Sequence, residues 1–498
     1  MVQKLGCAQG DLMARNILTW LQDACIEHGE RTAMMDPAGM PVSFQTFHVM
    51  ILSFADRLEA QGVRAGDVVQ VRVTDWIANT LVRLAVMHLG ATATHVPPEA
   101  LLANGAPLPR WRIGTADQAT PEDEGRYITL DASWIAPPRR LLPLVPGGAL
   151  IRTTSGTTGL PKLRLMTAER QSARLEHSMS ERGFVPGPTF IGYRPTSSPG
   201  TNHILRMLIE GHFQMHPQAT PERSLEEMER HGITKILAPP RMIEQLVQAA
   251  ERTGLRPSAL HQIAVGGSAI SEQLAARAEA LFGCEVWNSF GSNETGAISI
   301  YRPTDPTRLP GSVGRIQTQF GVRFTHEDGS PATAEEGGEL WLQLRPDNRL
   351  ADYPSGRSLC DAEGWIATGD VGRMLPDGTF QLLGRRSDFL NLGGNKVAPA
   401  HFEAVAREHP GVADVVAFRA PVASGSDEVG LAVRPREGFD LGAFCQHMAR
   451  RLGPDFPFHV ATLPELPVTP AGKPDRRGLT QAFAEWQGAV AAPQEPNI

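Results

Sequence analysis

The residues best suited to binding phosphate lie between positions 153 and 162, where the sequence reads Thr-Thr-Ser-Gly-Thr-Thr-Gly-Leu-Pro-Lys. This run contains five hydroxyl side chains, two glycines and a cation. Glycine lets the backbone turn sharply and approach a ligand, and hydroxyls together with free N–H groups bind phosphate oxygens. The run predicts a phosphate-binding loop formed by Thr153, Thr154, Ser155, Gly156, Thr157, Thr158, Gly159 and Lys162.

The same run has two competing interpretations. By composition alone, a Ser/Thr/Gly segment is more often a polar surface loop than a ligand site. A Walker A loop is the second alternative, but Pro161 precedes Lys162 and Leu163 follows it, which leaves no hydroxyl beside the lysine to hold magnesium. The sequence therefore disfavours a P-loop kinase.

Four further segments carry residues with suitable chemistry. An apolar segment at 263–270 runs into paired glycines, which is typical of a tight turn after a strand. Segment 289–296 reads Ser-Phe-Gly-Ser-Asn-Glu-Thr-Gly, segment 368–370 reads Thr-Gly-Asp, and a Pro-rich loop contains Gly472 and Lys473. Taken singly, Glu294 or Lys473 would be interpreted as a solvated loop residue, so the function depends on their combination and order.

In this order the segments resemble the adenylate-forming superfamily, which includes acyl-CoA synthetases, adenylation domains of peptide synthetases and beetle luciferases. The resemblance is most specific at residues 154–162 and extends over residues 31–478. The sequence departs from the usual family residues at Leu163, Phe290, Asn293, Ser387 and Lys396. A phenylalanine ring still stacks on adenine, and an asparagine amide still donates to phosphate.

The resemblance implies that ATP and a carboxylic acid react to give an acyl-adenylate and pyrophosphate, after which the acyl group passes to a pantetheine thiol. The implied cofactors are ATP, Mg²⁺ and coenzyme A or phosphopantetheine. Catalysis would depend on Lys473, which bridges carboxylate and phosphate, and on Glu294, the expected Mg²⁺ ligand; Asn293 joins the phosphate-binding set. The implied adenine and ribose contacts are Gly267, Ser268, Ala269, Asn288, Ser289, Phe290, Asp370 and Arg385.

The candidate acyl-pocket residues are Tyr193, Ser197, Ser198, His203, Gly266 and Ser292. Family members that activate amino acids carry an aspartate in this region, and the segment 191–200 has none. A buried ammonium without a carboxylate partner is very costly, so an amino-acid substrate is disfavoured. The stretch 197–200, Ser-Ser-Pro-Gly, is similar to one in relatives that activate aryl acids.

Composition narrows the class of protein. The 498 residues are 41% hydrophobic and 20% charged, with a net charge of −7, which is typical of a globular enzyme and argues against non-specific nucleic-acid binding. No apolar run suits a membrane span or a signal peptide, so no membrane partner is expected. The five cysteines form no CxxC pattern, which favours a reducing, cytoplasmic environment over disulfides or structural zinc.

Strand and helix patterns alternate along the first half of the chain and predict an α/β fold. Helices are expected at 44–61, 79–89 and 271–282, whereas 101–144 gives no readable pattern. The resemblance implies a large N-terminal domain of several subdomains, 1–386, that binds ATP and the acid. A small, mobile α+β C-terminal domain, 387–498, would carry Lys473, with Ser387 as the hinge between the two domains.

Several functional alternatives stay open. The thiol acceptor would be CoA or a separate acyl or peptidyl carrier protein, since the sequence ends shortly after Lys473 without a carrier domain. The enzyme could instead pass the acyl group to a non-thiol acceptor. A catalytically silent AMP-binding homologue is the third alternative, because of the departures from the family pattern.

The assignment of Lys473 predicts the effect of its removal. The Lys473→Ala variant should lower acid-dependent ATP–pyrophosphate exchange by roughly 10²–10³-fold, because one preorganised charge-stabilising donor is lost. Near-normal exchange in this variant would refute the assigned role.

Overall fold

The computed structural model describes residues 16–36, 38–154, 162–179, 185–392, 395–421, 427–453, 457–469 and 474–491. The chain divides into two compact units: unit 1 contains 1–306 and 343–366, and unit 2 contains 307–342 and 367–498. The hinge at Ser387, between 1–386 and 387–498, stays a prediction.

Helices and strands alternate in unit 1 and mix in unit 2. The α-helices are α1 Ile17–His28, α2 Phe44–Ala60, α3 Trp76–His88, α4 Pro98–Ala103, α5 Ala168–Met179, α6 Ser198–Glu210, α7 Pro221–Arg230, α8 Pro240–Thr253, α9 Glu272–Phe282, α10 Pro399–Arg407, α11 Leu441–Leu452 and α12 Arg476–Ala491. In the described part of the chain, no helix has the length and apolar character needed to cross a membrane.

The strands are β1 Thr32–Met35, β2 Pro41–Ser43, β3 Val68–Val71, β4 Thr92–Thr94, β5 Trp111–Gly114, β6 Tyr127–Thr129, β7 Ala149–Thr154, β8 Lys162–Thr167, β9 Thr189–Ile191, β10 Gln214–Met215, β11 Lys235–Leu237, β12 Gln262–Gly266, β13 Glu285–Ser292, β14 Gly296–Tyr301, β15 Gly321–Thr325, β16 Pro331–Ala332, β17 Gly338–Gln343, β18 Ala351–Asp352, β19 Trp365–Met374, β20 Phe380–Arg385, β21 Leu390–Leu392, β22 Asn395–Val397, β23 Val412–Pro421, β24 Asp427–Pro435 and β25 Phe458–Thr462.

Two large sheets form the framework of unit 1. A seven-stranded sheet has the order β18-β8-β7-β4-β3-β5-β6, and only β8 runs against the direction of the other strands. A six-stranded sheet has the order β10-β9-β11-β12-β13-β14, parallel except for β14. Parallel neighbours require long crossover connections. In the second sheet α6 connects β9 to β10, α8 connects β11 to β12, and α9 connects β12 to β13.

Helix boundaries in unit 1 follow from their caps. Ser43 caps α2 and Ser271 caps α9, each accepting a backbone N–H three residues on, and both helices match their predicted ranges to within one residue. Helix α3 begins three residues earlier than predicted, because Asp75 accepts from Ala78 N–H. It is buried on almost every side, and its buried polar residues Asn79 and Arg83 are held by hydrogen bonds to backbone carbonyls.

The segment 101–144, which showed no pattern in the sequence, contains β5 and β6 at one edge of the seven-stranded sheet. A buried carboxylate, Asp123, accepts hydrogen bonds from Arg112 and, at 2.8 Å, from Arg72. Burial would raise the pKa of Asp123, but hydrogen bonds from Arg112 and Thr120 and the charge of Arg72 outweigh it and lower the pKa to about 2. Tertiary ion pairing therefore stabilises this segment.

Unit 2 contains a five-stranded sheet with the order β16-β15-β17-β19-β20 and a three-stranded sheet with the order β23-β24-β25. In the three-stranded sheet β23 and β24 are antiparallel, whereas β25 is parallel to β24. Helices α10 and α11 contribute to one apolar cluster with these strands, and α12 contributes to a second one around Phe418 and Leu479. The predicted α+β character of the C-terminal part agrees with this arrangement.

A close approach at the start of β7 predicts a destabilising substitution. A Cβ atom at Gly148 would lie 2.2 Å from the carbonyl oxygen of Met87, at the end of α3. Gly148→Ala should therefore lower the free energy of unfolding by about 1–3 kcal/mol, the usual cost of overpacking, measured by urea denaturation. Gly442→Ala is the control, because there the nearest atom is a side-chain oxygen of Asp440 at 3.2 Å. Equal stability of the two variants would contradict the prediction.

Candidate active site

Two antiparallel strands hold the ends of the predicted phosphate loop. Strand β7 ends at Thr154 and β8 begins at Lys162, and these two residues face each other in register. Lys162 is exposed. The loop residues Ser155, Gly156, Thr157, Thr158 and Gly159 lie outside the described residues. The adjacent strand β4 runs parallel to β7, so the loop begins at the carboxyl edge of a parallel pair, where α/β proteins commonly bind ligands.

Glu294 lies at the tip of the β13–β14 hairpin. The Ser292 hydroxyl accepts hydrogen bonds from the N–H groups of Glu294 and Thr295, which fixes the turn. A Cβ atom at Gly291 would lie 2.1 Å from the Gly296 carbonyl oxygen, so only glycine allows the two strands to come this close. The turn therefore sets the position of Glu294, and of Asn293 before it.

Two buried arginines lie beside Glu294. Arg164 Nε of β8 is 3.8 Å from a carboxylate oxygen of Glu294, and Arg174 of α5 donates to its backbone carbonyl at 2.6 Å. Burial lowers the pKa of Arg174 to about 10, although the Glu294 charge acts in the opposite direction. Because Arg164 belongs to the strand that begins at Lys162, the Glu294 carboxylate lies beside the strand that follows the phosphate loop.

The surroundings of Glu294 fit a magnesium ion that shares its ligands with a substrate. Its side chain is 23% exposed, and its Arg164 contact is longer than a hydrogen bond, so carboxylate oxygens are accessible. Among the described residues no group of three His, Cys, Asp or Glu side chains could form a complete protein cage. Magnesium typically takes one or two carboxylates together with substrate phosphates, and such a site needs no cage.

The predicted adenine-side wall follows β12. Gly267, Ser268 and Ala269 form the turn after this strand, and Ile270 N–H donates to Asn288 Oδ1 at 2.9 Å. Asn288 is buried, and the hydrogen bond that its side-chain oxygen accepts holds the turn in place. Ser289 and Phe290 follow it on β13.

A cavity of about 120 Å³ lies between α6 and the carboxyl ends of β11 and β12, and is also lined by β13 and β14. Its lining includes three of the predicted acyl-pocket residues: Tyr193, His203 and Gly266. The Tyr193 hydroxyl accepts from Gly266 N–H at 2.7 Å and lies 2.9 Å from the Ala238 carbonyl oxygen. Tyr193 therefore presents its ring, rather than its hydroxyl, to the cavity.

Three predicted pocket serines have their hydroxyls engaged in local structure. Ser197 caps α6 by accepting from Gly200 N–H, and Ser198 Oγ lies 3.0 Å from a guanidinium nitrogen of Arg152. Ser292 holds the hairpin turn described above. These contacts explain the serines structurally, and their predicted contact with the acyl group stays a prediction.

The cavity also has a wall that the sequence did not indicate. It includes Ser178, Asn202 and Trp287, together with Ser289, which was assigned to the nucleotide. The indole N–H of Trp287 donates to Glu285 at 3.1 Å, so the ring face remains for contact with a ligand. The sequence offered one signal for Asn202, its position in the first turns of α6. That position alone does not show that the side chain lines a cavity.

Buried cations surround this region of unit 1. Arg83 and Arg152 are buried and donate to uncharged oxygens of Pro195, Thr201, Ser198 and Gln171. Burial, together with the charges of Arg83 and Arg174, lowers the pKa of Arg152 well below its usual range.

The pKa of His203 falls to about 3, mainly through burial and also through the charges of Arg206 and Lys235, so the imidazole is neutral.

In unit 2 the structure brings together the two predicted ribose contacts. Asp370 of β19 and Arg385 of β20 face each other in register, and Arg385 Nε donates to Asp370 Oδ1 at 3.0 Å. Ser387 follows in a short 3-10 helix. The predicted catalytic Lys473 lies outside the described residues.

Comparison with known proteins supports the predicted family. A family model described as AMP-binding enzyme matches residues 119–345. The chain is 24% identical to the 2-hydroxy-7-methoxy-5-methyl-1-naphthoate–CoA ligase of Streptomyces carzinostaticus, over 95% of this chain and 94% of that protein. It is 29% identical to the sulfoacetate–CoA ligase of Cupriavidus necator, over 70% and 69% of the two chains. These matches bear out the predicted resemblance to the adenylate-forming superfamily.

Solved structures agree with this assignment at the level of the fold. The amide bond synthetase McbA from Marinactinospora thermotolerans aligns with a TM-score of 0.78 at 22% identity, over 94% of this chain and 100% of that one. The o-succinylbenzoate CoA synthetase of Bacillus subtilis aligns with a TM-score of 0.77 at 22% identity, over 92% and 97%. The predicted superfamily and fold are confirmed, and with them the enzyme class, an AMP-forming acid ligase.

The neutral, partly buried imidazole of His203 predicts a pH dependence of stability. In the unfolded chain a histidine titrates near about 6.5, so the unfolded state gains a proton below that pH that folded His203 does not bind until about pH 3. The stability from this group is present above about pH 6.5 and is lost as the pH falls, amounting to about 2 kcal/mol between pH 7 and 5.

Urea denaturation at pH 7 and pH 5 checks this prediction. His203→Gln should reduce the loss of stability between the two pH values, whatever its effect at pH 7. His261→Gln is the matched control, because His261 is exposed and meets water in both states. An unchanged pH-dependent loss in His203→Gln would show that this imidazole is protonated in the folded protein.

Proposed function

We propose that this ligase activates a small carboxylic acid in the unit 1 cavity and passes the acyl group to the thiol of coenzyme A. The acid attacks the α-phosphorus of ATP through a carboxylate oxygen, the bond to the β-phosphate breaks, and pyrophosphate leaves. The thiol then loses its proton to solvent, its sulfur attacks the acyl carbon, and AMP leaves with the electron pair of the acyl–oxygen bond.

One observation carries this proposal: strand β13 lines the cavity and leads directly to the turn that holds Glu294. Trp287 and Ser289 contact the cavity, and Glu294 follows on the same hairpin, beside Arg164 of β8. An acid in the cavity and a magnesium ion on Glu294 would thus be positioned by one hairpin. Such positioning, rather than covalent chemistry by the protein, is what phosphoryl and nucleotidyl transfer require.

The remaining roles extend the proposal to residues at the phosphates and the ribose. Glu294 would hold Mg²⁺, which would neutralise charge on the phosphates. Asn293 and the loop hydroxyls donate to phosphate oxygens, Asp370 accepts from the ribose hydroxyls, and Lys473 bridges the carboxylate and the α-phosphate. Coenzyme A is favoured as acceptor over a carrier protein because the relatives reported above are named CoA ligases.

Pyrophosphate exchange across a panel of aliphatic, aryl and amino acids tests the first half-reaction. At least one acid should support exchange, and its adenylate should give a thioester when coenzyme A is added. Amide formation with an added amine but no thioester with coenzyme A would favour the non-thiol route. Absence of exchange with every acid would overturn the assignment of the first half-reaction.

Removing the Glu294 charge tests the metal role. Glu294→Gln should lower exchange by about 10²-fold and raise the Mg²⁺ concentration needed for half-maximal rate, because an amide is a weaker ligand than a carboxylate. Glu285→Gln, on the same strand but 52% exposed, is the control and should leave the Mg²⁺ dependence unchanged. A lower rate with an unchanged Mg²⁺ requirement would contradict the assigned role.

A further inference from the structure

A chain of hydrogen bonds runs from a buried guanidinium to the wall of the cavity. Arg152 of β7 donates to Gln171 Oε1 at 2.7 Å, and Gln171 Nε2 donates to Asn202 Oδ1 at 2.7 Å. Arg152 and Gln171 are both buried, whereas Asn202 is partly exposed and lines the cavity. The three side chains come from a strand and two helices of unit 1.

The guanidinium fixes the orientation of both amides. An arginine side chain offers only donors, so the Gln171 atom that faces it must be the oxygen. The Gln171 nitrogen then faces Asn202, whose facing atom must in turn be an acceptor. The Asn202 oxygen is therefore used, and its NH₂ group is left for the cavity. Within the described part of the chain, this nitrogen has no hydrogen-bond partner.

The rest of the cavity is apolar or neutral around this donor. Tyr193 and Trp287 offer ring faces, because their hydroxyl and N–H groups are engaged elsewhere. No lining residue among those described is Asp, Glu, Lys or Arg. The volume of about 120 Å³ is comparable to the roughly 150 Å³ cavity that accepts a benzene ring in another protein.

We propose that the site selects carboxylic acids with a small, planar acyl group that carries a hydrogen-bond acceptor, which receives the amide hydrogen of Asn202. The acceptor would be a ring nitrogen or a carbonyl, ether or hydroxyl oxygen. A cationic substituent is excluded, since the cavity presents a donor and has the charge of Arg152 behind it. This inference rests on the proposed function of the cavity as the acyl site.

The specificity follows from an unpaired donor. When an acid without an acceptor fills the cavity, the Asn202 NH₂ group loses water and gains no partner. A site built to hydrogen-bond its substrate rejects the analogue that lacks the group more strongly than a purely apolar pocket does. The expected preference is about 10–100-fold for the acid with the acceptor.

Matched pairs of acids test the proposal in pyrophosphate exchange. Benzoate is compared with the three pyridine carboxylates, which have the same shape and add one acceptor nitrogen, and pentanoate is compared with 4-oxopentanoate. The wild type should favour at least one acceptor acid by about 10–100-fold in kcat/KM. Asn202→Leu, of similar size, should bring the ratio close to one, and Asn104→Leu, at the end of α4, should leave it unchanged.

A second variant tests the chain of hydrogen bonds from Arg152 through Gln171 to Asn202. In Gln171→Glu, the new carboxylate still accepts from Arg152 but has no hydrogen to donate to Asn202. The Asn202 amide should then turn its NH₂ group towards position 171 and its oxygen towards the cavity. Preference should shift from the pyridine carboxylates to the aminobenzoates, which donate. A Gln171→Glu variant that keeps the wild-type order of preference among the acids would refute this chain of hydrogen bonds.

Binding measurements separate this inference from the proposed function. Acyl sulfamoyl adenosines imitate the acyl-adenylate and do not react, and their affinities are measured for the same pairs. A preference for acceptor analogues without any exchange would overturn the proposed activity and support the inference. Exchange that is equal within every pair would overturn the inference alone. Absence of both exchange and binding would overturn the two together.

Discussion

One phenolic hydroxyl connects the strand ends on which the unit 1 site is built. Tyr193 follows β9, and its hydroxyl contacts backbone groups after β11 and at the end of β12. Burial raises the pKa of Tyr193, so the group stays a neutral donor and acceptor. Because three parallel strands are fixed at their carboxyl ends, the cavity, the predicted adenine wall and the hairpin of Glu294 share one framework.

Sequence reasoning reached the parts of this framework that local patterns encode. The fold class, the ranges of α2 and α9 and the order of the motifs follow from short segments whose residue types suffice. The segment 101–144 could not be read, because an ion pair of Asp123 with Arg72, outside the segment, helps to stabilise it. Asn202 was missed for a related reason: its orientation depends on Gln171, 31 residues away, and on Arg152.

Arg83 and Arg152 are charged side chains buried among neutral groups, which is an uncommon arrangement in proteins. Arg83 and Arg152 are held by neutral oxygens of Pro195, Thr201, Ser198 and Gln171, and burying such cations without carboxylates is unfavourable. The positive potential is thereby left for reactants rather than cancelled within the protein. In an enzyme whose substrates are a carboxylate and a nucleoside triphosphate, that potential favours the binding of both.

Trp287 makes the cavity observable without a label. Its indole N–H is held by Glu285 while its ring face lines the cavity. The ring is therefore restrained, and a planar acyl group entering the cavity would replace water against it. If the acid binds in this cavity as proposed, the fluorescence of Trp287, one of eight tryptophans in the chain, should change on binding without nucleotide or turnover.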